Sequence, residues 1–314
     1  MQTTLDCMPC FVRQALGAAR MVTDDLDSTG RMLREVLWEM SQMSTDQSPV
    51  VMAQRIHRLV RRLAGDVDPY REIKTNCNRM AMEFYPELAA MLADSIIPLE
   101  VAIRLAIAGN AIDLGVHQDV DKKHISDAIR NSLKSPLEGD VTGFIDTLSR
   151  AESILYLADN AGEIVFDRLL IEQIGPERIT LAVRGVPVLN DATLADAESL
   201  GLTDLVEVID NGSDAPGTLL YDCSDEFLRR FEQADMVIAK GQGNYESLND
   251  TEREVYLLLQ AKCPVIAARL GLSVSSLVIT RGGYGAGDET KQIQQDLHQA
   301  LGSVVPPPEE VRSA

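Results

Sequence analysis

From residue 153 onwards the sequence alternates between short apolar runs and helix-like segments. The runs have four to six mostly apolar residues without polar alternation, which is typical of strands that are buried on both faces. They are Ser153–Ala158, Ile179–Val183, Leu205–Ile209, Met236–Ala239, Val265–Ala268 and Leu277–Thr280. Because helices between strands serve as crossover connections, the pattern predicts an α/β fold: a doubly wound, mostly parallel α/β/α sandwich of Rossmann-like type.

The first 150 residues have a different pattern, in which apolar residues recur at helical spacing. Phe11, Ala15, Ala18 and Val22 follow the i, i+4, i+7, i+11 series, and similar stripes occur further along. We therefore predict a helical domain over residues 1–150 and an α/β catalytic domain over 151–304. A flexible tail over 305–314 is predicted because its prolines and charged residues have little to bury.

The net charge of −19, from 29 basic and 48 acidic residues, makes nucleic acid and anionic membranes poor partners. The sequence contains no run of about 18 apolar residues, so a membrane span is not expected. The beginning, "MQTTLDCMPC", lacks the basic and apolar segments of a signal peptide, so we expect a cytoplasmic protein. The oligomeric state is not indicated.

Five scattered cysteines argue against a disulfide scaffold. Cys7 and Cys10 form a CxxC, but no second pair of cysteines or histidines completes a zinc site and no strand precedes it. We interpret this motif as packing at the start of a helix, with a redox or metal role as the alternative.

Polar residues follow four consecutive predicted strands. In chain order they are Asp159, Asn160 and Glu163; Arg184, Asn190 and Asp191; Asp210, Asn211 and Ser213; and Lys240, Gly241, Gln242, Gly243 and Asn244. Each group alone is also consistent with a helix cap or a turn. Because parallel sheets bind ligands outside the carboxyl ends of their strands, we expect these groups to meet at one edge.

The residue types at this edge favour metal-assisted phosphoryl chemistry. Asp159, Asn160 and Asp191 offer oxygen ligands of the kind that Mg²⁺ or Mn²⁺ prefers, and Co²⁺ or Ni²⁺ is possible. Lys240 and the backbone N–H groups of Gly241 and Gly243 would hold an anion beside the ion. We therefore predict Asp159, Asn160, Asp191 and Lys240 as catalytic residues, the first three as metal ligands.

Several motifs together resemble the domain-of-unknown-function 89 family of metal-dependent damage-control phosphatases, in its compact prokaryotic subfamily. They are "CMPC", "DPYREIK", "AGNAIDLG", "DNAGEI", "PVLNDAT", "NGSDAPGT" and "AKGQGNYESL", and they extend from Cys7 to about residue 280. The resemblance implies that Asp159, Asn160 and Asp191 bind the metal, that Lys240–Glu246 forms a substrate-binding loop, and that Asn110 and Asp113 face the site. The arginine-threonine-x-lysine motif of the animal and fungal branch is absent.

The leading hypothesis is a divalent-metal-dependent phosphatase that hydrolyses small phosphorylated metabolites, such as sugar phosphates or damaged phospho-metabolites. The sequence does not show whether water or Asp159 attacks the phosphorus, and we favour attack by metal-bound water. The predicted substrate-binding residues are Glu163, Asn110, Asp113, Arg184, Asn190, Ser213, Gly241, Gln242, Gly243 and Asn244. Two alternatives are an S-adenosylmethionine-dependent carboxyl methyltransferase, for which "LADNAGEI" has too few glycines, and a non-enzymatic metal-binding module.

Overall fold

The protein is described from a computed structural model, which covers residues 1–65, 68–111 and 122–283. Within these ranges seven strands form one sheet in the order β1-β7-β6-β5-β2-β3-β4. The strands are β1 (Leu137–Gly139), β2 (Ile154–Leu157), β3 (Ile179–Val183), β4 (Glu207–Asp210), β5 (Met236–Lys240), β6 (Val255–Gln260) and β7 (Leu277–Gly282). The predicted tail at 305–314 lies outside the described residues.

The sheet is doubly wound and mostly parallel, as the sequence predicts. From the central β2 the chain moves outward through β3 and β4, then returns to β5 on the other side of β2 and continues to β6, with all of these pairs parallel. Only β7 runs antiparallel to its neighbour β6, and β1 pairs with β7 in parallel. The chain adds strands on one side of β2 first and then on the other side, so the strand order reverses between β2 and β5. This place is a topological switch point, where open α/β sheets bind their ligands.

One predicted strand is wrong. Val265–Ala268 lies within a helix that spans Pro264–Leu270, where Pro264 occupies the first turn and Cys263 caps it. The strand at this point of the chain is β6, ten residues earlier, in the run "VYLLLQ". A short apolar run does not by itself distinguish a strand from a buried helix, and a proline at the first helical position is the signal that favours the helix here.

Twelve α-helices surround the sheet in the described ranges. They are α1 (Cys7–Val22), α2 (Leu26–Ser41), α3 (Pro49–Leu63), α4 (Arg71–Ala93), α5 (Pro98–Ala111), α6 (Lys122–Lys134), α7 (Val141–Arg150), α8 (Glu163–Ile174), α9 (Leu194–Ser199), α10 (Asp225–Gln233), α11 (Gly241–Leu248) and α12 (Pro264–Leu270). None of those described is long and apolar enough to cross a membrane.

Helices cover both faces of the sheet, which explains the continuous apolar runs. In β2, Ile154 and Tyr156 join an apolar cluster with helices α4 to α8, whereas Leu155 and Leu157 join a second cluster with α10, α11 and α12. A third cluster holds α1, α2 and α3 together. Because the first cluster contains residues on both sides of position 150, the domain boundary there stays a prediction.

Helix α5 crosses helix α8 closely enough to bring its polar end to the sheet. At Gly109 an added Cβ would lie 3.0 Å from the Cβ of Phe166, so the two helices meet there at backbone distance. This contact places the next residue, Asn110, in the buried interior beside the carboxyl end of β2.

Candidate active site

The polar residues after β2 and β5 meet at the switch point. Asp159 lies two residues beyond β2, and Lys240 is the last residue of β5. Gly241 follows with a φ of 79°, and a Cβ there would lie 1.9 Å from Asp159 Oδ2. Only glycine fits, because both the left-handed backbone and the contact with the carboxylate exclude a side chain.

Two amides bind the same pair of carboxylates. Asn110 Nδ2 donates to Asp159 Oδ2 at 2.8 Å and to Glu163 Oε2 at 2.9 Å. Asn160 Nδ2 makes the same two contacts, at 2.8 Å and 3.0 Å. Asn110, Asp159 and Glu163 are buried, so the helical N-terminal region supplies one wall of this cluster, as the resemblance implies. Asp113 lies outside the described residues.

Asp191 reaches the same cluster from the loop after β3. The loop is fastened to the one after β2 by backbone hydrogen bonds from Ala161 N to Asn190 O and from Ala192 N to Asp159 O, both 2.8 Å. Arg184 Nε donates to Asp191 Oδ2 at 2.7 Å, and its NH2 atom lies 3.8 Å from Asp159 Oδ1. One buried guanidinium thus lies against both predicted acidic metal ligands.

Lys240 is fully buried and has three acceptors. Its Nζ atom donates to Glu163 Oε1 at 2.8 Å, to Asp167 Oδ1 at 2.6 Å and to the Ala106 carbonyl at 2.8 Å. Tyr156 also donates to Asp167 Oδ1, at 2.7 Å. Because an ammonium group has three N–H donors, no donor remains for a substrate.

The other predicted residues lie around this centre in supporting positions. Asn244 accepts from Thr218 Oγ1 and Arg184, and donates to the carbonyls of Lys240 and Ala158. Asn190 accepts a hydrogen bond from Ala161 N through its backbone carbonyl. The Ser213 hydroxyl donates to Asp222 and accepts from Ala215 N within its own loop. Gln242 donates to Glu246 within α11. At Gly243 an added Cβ would lie 2.1 Å from the Pro216 carbonyl, so this glycine serves loop packing.

Burial and like charges shape the protonation of the cluster. Burial, together with the negative charges of Glu163 and Asp191, raises the pKa of Asp159 well above its ordinary value. Burial also raises the pKa of Asp191, which Arg184 opposes only in part, and it raises that of Asp167 to about 6. For Glu163 burial is again the largest single influence and acts in the same direction, but the charge of Lys240 and the hydrogen bonds from Lys240 and Asn110 together outweigh it, so the pKa is lowered.

The residues present fit a divalent cation. Four buried carboxyl groups, those of Asp159, Glu163, Asp167 and Asp191, share two buried cationic side chains, Arg184 and Lys240. The oxygen-rich set and its excess of acidic groups suit a hard cation. Asn110 Oδ1 is buried without a hydrogen-bond partner in the described structure, and Asn160 Oδ1 also accepts none there.

Within the described ranges no three His, Cys, Asp or Glu side chains are arranged as a metal site by themselves. These residues instead offer the predicted set, which is two aspartates, Asp159 and Asp191, with the amide oxygen of Asn160.

Sequence reasoning missed three contributors to the site. Asp167, four residues after Glu163, shares the buried face of α8, and an acidic i, i+4 pair in the apolar segment "EIVFDRLLIEQI" was the available signal. Lys262 follows β6, and its positive charge lowers the pKa values of both Asp159 and Glu163. It was missed because the strand was predicted ten residues too late. Asn78 of α4, the third, accepts a hydrogen bond from Gly162 N.

Comparisons with known proteins identify the family of the chain. Residues 3–278 match the model of the damage-control phosphatase ARMT1-like domain. A damage-control phosphatase from Archaeoglobus fulgidus is 34% identical over 278 residues, which cover 87% of this chain and 96% of that protein. One from Pyrococcus horikoshii is 31% identical over 290 residues, covering 90% and 99%. An uncharacterised protein from Methanocaldococcus jannaschii is 34% identical over 288 residues, covering 88% and 94%.

A solved structure is similar over nearly its full length. The crystal structure of a DUF89 family protein from Pyrococcus horikoshii superposes with a TM-score of 0.81 at 31% identity, covering 90% of this chain and 99% of that one. The sequence resemblance is thereby confirmed, and the named relatives support a phosphatase function. The chain belongs to the ARMT1-like (DUF89) damage-control phosphatase family.

Proposed function

We propose that this protein is a divalent-metal-dependent phosphatase that hydrolyses small phosphorylated metabolites, such as sugar phosphates or damaged phospho-metabolites. The observation that carries the proposal is the excess of buried carboxyl groups at the switch point of the sheet. Buried charges destabilise a fold unless they are paired, so a cluster with more carboxyl groups than cationic side chains suits the binding of a cation. The named relatives support the choice of phosphoryl chemistry.

Asp159, Asn160 and Asp191 would hold the ion. When bound, Mg²⁺, Mn²⁺, Co²⁺ or Ni²⁺ would neutralise the excess acidic charge and polarise a phosphoryl oxygen of the substrate. Arg184 keeps Asp191 in place through its Nε–H donor, and Asn110 orients the Asp159 carboxylate. Glu163, whose lowered pKa leaves it ionised, is the group that would accept a proton from the attacking water.

The two lysines of the site have different roles. The predicted role of Lys240 as a phosphate ligand stays a prediction, and its three protein acceptors argue against it. Lys262 is half-buried and makes no hydrogen bond or ion pair within the described ranges, yet its charge acts on Asp159 and Glu163. We therefore assign the phosphate contact to Lys262 and the fixing of Glu163 to Lys240.

The two alternatives receive less support. A methyltransferase would bind its cofactor at the loop after β2, but the amides of Asn160 in this loop and of Asn110 from α5 are both committed to Asp159 and Glu163. A non-enzymatic metal-binding module predicts the same acidic cluster without turnover, so only an activity measurement separates it from the phosphatase.

The test is a screen of phosphate esters with each of the four divalent ions, before and after chelation. We expect hydrolysis that disappears with the chelator and returns with added ion; undiminished hydrolysis by metal-free protein would contradict metal dependence. Asp191→Asn should raise the metal concentration required at least tenfold, because loss of even an indirect partner of a metal ligand typically costs about 10–100-fold in affinity. Asp204→Asn, the same change on an exposed aspartate that precedes β4 at the other end of the sheet, is the matched control.

A further inference from the structure

The motif "DPYREIK" and the residues that follow it form a buried polar layer behind the carboxylate cluster. Lys74 and Asn78 lie one turn apart on α4 and are 4% and 5% exposed. They face Asp196 of α9, which is 7% exposed. Buried polar side chains on a helix destabilise it unless they are hydrogen-bonded, so their partners show what the layer does.

Asn78 joins the loop that follows β2. Its Oδ1 atom accepts from the backbone N–H of Gly162 at 2.6 Å. Gly162 lies two residues after Asn160 and one before Glu163, with a φ of 78°, and as a glycine it has no side chain to cap α8. The side chain of Asn78, which belongs to another helix, therefore supplies this contact. It fixes the turn between Asn160, a proposed metal ligand, and Glu163, the proposed proton acceptor.

The same amide joins the loop that follows β3. Asn78 Nδ2 donates to Asp196 Oδ1 at 2.9 Å. The other oxygen of Asp196 accepts from Thr193 N at 2.9 Å, from Thr193 Oγ1 at 2.7 Å and from Lys74 Nζ at 3.3 Å. Thr193 is two residues beyond Asp191, so Asp196 fixes the end of the loop that carries the second acidic ligand.

We infer that Asn78 is a positioning residue that holds the two ligand-bearing loops at a fixed separation, through Gly162 on one side and Asp196 on the other. The inference rests on the proposed function, because it assigns those loops to the metal. Asn78 itself would contact neither ion nor substrate. Only an amide fits the position, since one end faces an N–H donor and the other faces a carboxylate.

Asn78→Asp is the decisive variant, because it retains the acceptor for Gly162 but places a carboxylate oxygen against Asp196. We expect the Kd for Mn²⁺, measured by calorimetry, to rise about 10–100-fold, the usual effect of disturbing the support of a metal ligand. In the metal-free protein, hydrogen exchange of residues 160–163 should become faster. Asn78→Ala should be milder, since a cleft of about 360 Å³ lined by Asn78 and Asp196 admits water to replace the lost contacts.

The matched control is Asn76→Asp, the same change on an exposed residue of the same helix, which should leave the Kd within about twofold, the spread expected of a surface charge. The exchanged pair Asn78→Asp with Asp196→Asn keeps the charge of the layer and restores a donor opposite an acceptor, so it should recover most of the affinity.

Native melting together with unchanged Mn²⁺ affinity in Asn78→Asp would overturn the inference. If that variant does not fold, the exchanged pair decides, and its failure to bind Mn²⁺ also overturns the inference. A wild-type protein that binds no divalent ion at all would instead overturn the proposed function.

Discussion

The two ends of the sheet use the same charged residue types but differ in burial. At the carboxyl end, Lys240 with Glu163 and Asp167, and Arg184 with Asp191, have side chains that are at most 4% exposed. At the amino end, Arg230 pairs with Glu207 at 41% and 48% exposure. Exposed pairs contribute little to stability, whereas buried ones require desolvation that their attraction barely offsets. The buried pairs are therefore better explained by function than by stability.

The largest expected effect on stability comes from removing the positive charge of Lys240, which is buried with Glu163 and Asp167. Lys240→Met leaves Glu163 and Asp167 buried without a counter-charge, and breaking such a pair typically destabilises by about 3–5 kcal/mol. Urea unfolding at pH 7 would measure the loss. A loss below about 1 kcal/mol, the range of an exposed pair, would remove the distinction between the two ends of the sheet.

The second largest effect is expected from the protonation of His57. This residue is buried in α3, and its Nε2 atom has no hydrogen-bond partner in the described structure. Burial lowers its pKa from 6.5 to about 4, so the unfolded chain binds a proton that the folded chain does not. Stability should therefore fall as the pH drops from about 6.5 to about 4, by up to about 3 kcal/mol, and the loss is complete below that range.

The measurement for His57 is the free energy of unfolding against pH for the wild type and for His57→Asn. Every other titrating group is common to both proteins, so the difference between the two curves isolates this side chain. Parallel curves between pH 4 and 7 would show that folding does not lower the pKa of His57.

Lys262 should affect catalysis and leave the fold nearly unchanged. Lys262→Ala would remove the proposed charge-assisted contact to the phosphate, worth about 1.5–3 kcal/mol, which corresponds to about a ten- to hundredfold loss of kcat/KM. The metal requirement should change much less than in Asp191→Asn, because Lys262 acts on Asp159 only through its charge and makes no hydrogen bond to the proposed ligands in the described structure. Lys134→Ala, an exposed lysine of α6, is the control. A shift in metal requirement without loss of kcat/KM would contradict the assigned role.

The smallest effect is expected at the amino end. Arg230→Ala should destabilise the fold by less than about 1 kcal/mol, since its pair with Glu207 is exposed and screened by salt. Thermal melting at low and high salt would check this, with wild type and variant expected to converge as the salt concentration rises. A loss comparable to that of Lys240→Met would show that burial is not what separates the two ends.

The parts of the site that sequence could predict are those set by strand ends. Asp159, Asn160 and Asp191 follow strands whose apolar runs are unmistakable, and the sheet topology then brings them together. The role of Lys240 was not predictable in this way, because its acceptors Glu163 and Asp167 come from a helix 73 or more residues away in the chain. Residue spacing shows which side chains reach the edge of the sheet, but not which of them are already paired there.

Anyone who engineers the substrate range of this protein will find position 241 closed. A mutagenesis library there would yield inactive clones, since even an alanine would drive its methyl group into the Asp159 carboxylate. Its neighbour Gln242 is half-buried, and its amide donates only within its own helix. The first turn of α11 thus places a position that tolerates no diversity directly beside one whose side chain makes no hydrogen bond outside this helix in the described structure, and randomisation should begin at the second.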